Sequence, residues 1–202
     1  MDSVLAVMTI DQRGSRHDID RVEDLLSELG MDQPDTGGLM LPFERTLGDE
    51  VQGVISDPTL LVELTLRCAR ARRWHVGIGL GSIRSPIPDS TRKASGTAFE
   101  NARDAVNRAK TTPEAVAVQG PDPITSSYAE GVLSTLAALL HRRSAAGWEA
   151  VDLIRQGLSQ IQIAEILKIS KQAVSQRLLA GWWWHEQSLR PVAVHLLTEA
   201  AQ

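Results

Sequence analysis

The chain has 202 residues, 43% of them hydrophobic, and a net charge of -4, enough apolar material for one large or two small domains. Its single cysteine, Cys68, excludes an internal disulfide and suits a reducing compartment. No charged segment leading into an apolar one opens the chain and no apolar run approaches the ~20 residues that span a bilayer, so a cytoplasmic protein without membrane contact is expected.

Ser3 to Ile10 is a short apolar run rich in β-formers, which predicts a buried strand delivering Asp11 to its C-terminal end. Asp18 to Leu29 carries Val22, Leu25, Leu26 and Leu29 at helical spacing, with Gly30 as the stop and a loop to Gly38. Leu39 to Thr46 and Val51 to Ile55 read as two strands joined at Leu47 to Asp49, where Gly48 can take the angles of a hairpin. Asp57 followed by Pro58 marks a helix start; Leu61, Leu64 and Cys68 form its buried face, and the arginines at 70, 72 and 73 suit its C-terminus.

His75 to Gly81 is an apolar strand whose glycines permit close approach of another backbone or a ligand. The loop from Ser82 to Lys93 carries Arg84, Arg92 and Lys93. Thr97 to Lys110 places Phe99, Ala102, Val106 and Ala109 on one side of a third helix, and Ala115 to Gln119 can be a last strand. Gly120 to Pro123 is the best boundary in the chain. The first six elements therefore give a ferredoxin-like split βαββαβ unit with its helices on one face of an antiparallel sheet, in an α+β protein.

Beyond the boundary, Ser126 or Ser127 with Glu130 offers a capping box for a helix to about His141, and Trp148 to Gln156 reads as the next helix. Residues 1–120 are thus expected as the palm-like domain, 121–147 as linker and connecting helix, and 148–202 as an all-α helix-turn-helix domain with C-terminal helices. The segment Gly157 to Ala180 carries that motif. Ser159 caps a first helix packed through Ile163, Ala164 and Leu167. Lys168 sits in the turn where glycine is common, and Ser170 caps a second helix packed through Val174 and Leu178. Two ordinary amphipathic helices of a bundle are the plainer alternative. Trp182, Trp183 and Trp184 point in different directions, toward a partner or the other domain, or against a helix from Val192 to Leu197.

Ser170, Lys171, Gln172, Ser175, Gln176 and Arg177 are the candidate DNA-contacting residues: Gln pairs with adenine, Arg with guanine, and Lys or Ser hold phosphates. Residues 125–202 carry seven basic and six acidic groups, against 14 and 19 in residues 1–124, so base contacts or a homodimer must supply what phosphate attraction does not. The five histidines have no ligand spacing. Gly77, Gly79 and Gly81 lie within a strand, which is wrong for a dinucleotide fingerprint.

Met8 to Asp11 with Ser15-Arg16, Thr46 to Gly53, Gly77 to Gly81 and Gly96 to Ala105 together resemble the SatD-like family over about residues 1–180, with Gly48 to Gly53 the most specific part. More distantly, these landmarks are similar to the palm of class III nucleotide cyclases and GGDEF-type enzymes. That resemblance implies a nucleotide ligand and Mg²⁺ or Mn²⁺ held by Asp11 and Asp49, with Glu50, Arg92, Lys93 or Arg103 near phosphate. Arg45 and Glu50 match the signature, but Leu47 replaces a glycine, Val51 a phenylalanine, and Asn101 and Arg103 are off in spacing. The resemblance therefore implies loss of cyclase activity. Asp11 and Asp49 as solvated loop and turn residues is the plainer alternative. Three functions follow: a DNA-binding regulator whose palm senses a ligand or dimerises, a metal-dependent nucleotide enzyme, or a palm that only dimerises.

Overall fold

The computed structural model describes residues 5–15, 18–29 and 37–202. The expected strand start at Ser3, Arg16 of the resemblance, and the Gly30 stop with its loop to 36 lie outside them. Five strands, β1 (Ala6–Gln12), β2 (Leu39–Arg45), β3 (Glu50–Ile55), β4 (Trp74–Leu80) and β5 (Val116–Gln119), form one sheet in the order β2-β3-β1-β4-β5. The first four pair antiparallel, with Asp11 opposite Glu50 on one side and His75 on the other, and β5 joins β4 in parallel.

Strand alternation sends alternate side chains to opposite faces, and helices cover both. Ala6, Met8, Ile10, Val76 and Ile78 share a core with α1 (Val22–Glu28), α2 (Pro58–Ala71) and α4 (Pro123–Arg142). Val7 and Val54 meet α3 (Thr97–Ala109) on the other face. α1 and α2, the helices of the first six elements, thus share one face as expected from the sequence, and α3 adds a layer on the other. The glycines of β4 explain the second layer: a Cβ on Gly77 would come within 2.2 Å of Val106 N, and one on Gly79 within 2.1 Å of Ala102 N. They bring α3's backbone onto the strand.

Asp57 caps α2 by accepting from Thr59 N at 2.8 Å, with Pro58 in the first turn. The capping box expected at Ser126 or Ser127 is absent. Asp122 caps α4 instead, accepting from Ile124 N and Thr125 N ahead of Pro123. Glu130 is drawn to the sheet, where its carboxylate takes Val118 N at 2.8 Å and Arg108 at 2.9 Å.

The segment expected as linker and connecting helix is α4 and the start of α5 (Ala145–Arg155). Its Leu133, Leu136 and Leu140 are buried in the same core as the sheet, together with Ala193, Leu197 and Ala200 of α8 (Trp183–Ala200). Between α4 and α8 stand α5, α6 (Gln160–Leu167) and α7 (Lys171–Ala180), which pack around Val151, Ile163, Val174, Leu178 and Trp183.

No separate helix begins at Val192. α8 runs continuously through Pro191, with Trp182 as a left-handed N-cap residue at φ 57°. Consecutive tryptophans on one helix cannot share a neighbour: Trp183 is buried, whereas Trp182 and Trp184 are exposed. Among the described residues, no helix is long and apolar enough to cross a membrane.

Candidate nucleic-acid interface and ligand cleft

Two capped helices organise the C-terminal candidate site. Ser159 and Gln162 form a reciprocal box at the start of α6, and Ser170 accepts from Ala173 N at 3.1 Å at the start of α7. These bonds satisfy amides that a helix leaves open at its first turn. Lys168 ends α6 at φ 53°, in the left-handed region where glycine is easier, and its amide and that of Ile169 close the turn onto Glu165 O and Ala164 O.

Val174 and Leu178 then point inward, and Lys171, Gln172, Ser175 and Gln176 are exposed, with no hydrogen-bond partner among the described residues. Arg177 is turned aside to Glu149 at 2.9 Å. Ser170 is exposed, its hydroxyl serving the cap.

The second candidate site lies on the α3 face of the sheet. A cleft of about 420 Å³ has Gln52 and Thr46 as its floor, Arg92 on one wall, and Phe99, Glu100 and Arg103 of α3 on the other. Glu44 builds the first wall by accepting from Ser90 Oγ at 2.7 Å and Arg92 N at 2.9 Å. Burial raises the Glu44 pKa, but these bonds outweigh it and hold the carboxyl below its ordinary value. Gly96 opens the second wall: at φ 144° a Cβ would meet Ser82 O at 2.3 Å.

Of the four residues expected near phosphate, Arg92 and Arg103 therefore meet at one cleft. Lys93 is drawn to Asp89 at 3.1 Å, and Glu50 accepts from Thr46 Oγ1 at 2.7 Å beside the cleft floor.

Asp11 is not a free strand end. It lies within β1, and its carboxylate meets Lys110 at 2.9 Å and His75 at 3.5 Å. Burial raises its pKa, but the His75 and Lys110 bonds prevail and hold it low. Asp49 sits on the β2–β3 turn, one residue from the register partner of Asp11. Among the described residues, no group of three or more His, Cys, Asp or Glu gathers to hold a metal. A divalent cation at Asp11 would have to displace Lys110, so the residues as placed fit a carboxylate-ammonium pair better than a metal cage. Cys68 is buried, its thiol pushed up to about 12 by desolvation.

No family model, curated protein or solved structure matches the chain.

The centre that joins α5 to the rest has no signal in the sequence, because its partners come from four separate stretches of the chain. Glu186 of α8 is fully buried and accepts from Arg143 at 2.7 Å, from Arg190 at 2.7 Å and from Arg155. Trp148 of α5 lies between the guanidiniums of Arg70, at 3.7 Å, and Arg143, at 4.3 Å. Arg70 also grips Asp152 through two bonds of 2.6 Å.

Proposed function

We propose that the chain is a DNA-binding regulator of SatD-like type, in which α6 and α7 act as a helix-turn-helix and α7 reads the major groove. The observation that carries it is the outer face of α7, where Lys171, Gln172, Ser175 and Gln176 stand exposed and unpartnered on a helix fixed by the Ser170 cap. Two glutamines one turn apart offer bidentate donors and acceptors to adenine edges, and Lys171 a phosphate contact. Exposed Leu179, Trp182 and Trp184 beside that helix give a second copy apolar surface to cover, as a symmetric homodimer on a two-fold site requires.

Selection from random duplexes with the full-length protein tests this. An enriched sequence is expected, with Gln172→Ala and Gln176→Ala each costing about 1–3 kcal/mol at the adenines they read. Failure to enrich any sequence, with wild-type affinity in both variants, would sink the proposal.

A second reading concerns the sheet unit. The antiparallel order β2-β3-β1-β4 supports a ferredoxin-like palm with β5 added, and the two arginines on one cleft favour a phosphate-bearing ligand such as a nucleotide, sensed rather than turned over. Such a ligand at ~100 times its dissociation constant stabilises the fold by about 2.7 kcal/mol. The stabilisation should vanish in Arg103→Ala. Loss in Asp49→Asn, together with a requirement for Mg²⁺ or Mn²⁺, would revive the metal-dependent enzyme.

A further inference from the structure

Three guanidiniums surround the buried carboxylate of Glu186, and among the described residues the only other acid bonded to them is Glu63, which pairs with Arg190 at 2.5 Å. The centre thus carries one surplus positive charge. Its strain shows at Arg143, whose Nη1 is buried without a partner and whose pKa burial pushes down despite the Glu186 bond. A guanidinium cannot shed its proton to relieve this, so the surplus favours an added anion.

Beside the centre is a cavity of about 460 Å³, lined by Glu63 of α2, Ile154 and Arg155 of α5, and Trp183, Gln187 and Arg190 of α8. Arg190 spends its donors on Glu186 and Glu63. Arg155 bonds Glu186 through Nη2 alone and is 28% exposed, so Nε and Nη1 remain to bind something else.

We propose that this cavity binds a small organic monocarboxylate. Its carboxylate accepts from Arg155 Nη1, and its apolar body lies on Ile154 and Trp183. A dianion such as phosphate is disfavoured, because its second charge would overshoot the surplus and face Glu63 and Glu186. Trp183 also belongs to the core formed by Val174 and Leu178, so occupancy is transmitted to α7.

The test is a titration of the full-length protein with isovalerate and phenylacetate, followed by tryptophan fluorescence and melting temperature, with the two corresponding neutral amides as controls. Saturable binding of at least one acid is expected at a dissociation constant of about 1 mM or below. It should weaken about tenfold or more in Arg155→Gln, the loss of one charge-assisted bond. Gln187→Phe, at an exposed rim position, should obstruct the approach to Arg155 and weaken binding without touching the ion pairs, and Arg103→Ala should leave it unchanged. Equal binding of the amides, wild-type affinity in Gln187→Phe, or no saturation by either acid would overturn the proposal. None of these outcomes depends on DNA binding.

Discussion

Arg177 stands on the outer side of α7 but is held by Glu149 of α5 at 2.9 Å, with 57% of the Glu149 side chain exposed. An exposed pair of this kind is worth about 0.2–1 kcal/mol. Glu149→Gln should therefore free Arg177 and tighten duplex binding by about two- to fivefold, measured by anisotropy at fixed salt. Glu186 is a different case, being buried. Burial alone would raise its pKa, but the Arg143 bond and the charges of Arg155 and Arg190 hold it below the ordinary 4.5. Because the folded value is depressed, its contribution to stability is present above the unfolded value near 4.5 and is lost as pH falls through the folded one. Glu186→Gln should lose about 3–5 kcal/mol at pH 7 and show a shallower acid slope than wild type in urea melts. Asp11 shows the limit of reading single residues: its chemistry is plain in the sequence, but Lys110, 99 positions away, is the partner that decides its use.

Among the elements, β4 and α3 constrain each other most. Gly79 has no room for a methyl group, since a Cβ would also meet Ala98 O at 2.1 Å, and the obstruction is backbone that cannot rotate aside. Gly79→Ala should cost about 3 kcal/mol or more, above the ordinary range for overpacking, and should disturb the cleft that α3 walls. Urea denaturation, with ligand binding at the cleft, checks both. The sequence showed these glycines as a site of close approach, and it showed the caps at Asp57, Ser159 and Ser170, because each cap lies within three residues of the amide it serves. Where two local signals competed, it misled: Ser127 and Glu130 have capping-box spacing, but Asp122-Pro123 starts the helix earlier and Glu130 is taken by Val118 and Arg108. The break expected before Val192 failed for a related reason, since Pro191 removes one helical bond while Ala193 and Leu197 remain anchored in the core.

Across the molecule, β2 and β3 are joined by a short turn that the sequence marks with Gly48 and Asp49, whereas β3 reaches β4 through α2 and β4 reaches β5 through α3. The return of α8 to the sheet core could not be seen there, because Leu133 and Leu197 meet only in the fold. α7 is tied to the sheet unit through α5 and α8, whose apolar packing is joined by contacts of one chemical group. Arg70 and Arg143 clasp Trp148, and Arg143, Arg155 and Arg190 enclose Glu186. Guanidinium chloride supplies that same group as a free ion, able to occupy the indole faces and the carboxylates in place of the arginines, whereas urea carries no charge. The choice of denaturant should therefore matter beyond the usual near-twofold difference in m-value. The unfolding free energy extrapolated from guanidinium chloride should fall below that from urea, and the gap should close in Trp148→Leu. The junction would then behave as a lock that its own key, in soluble form, can open.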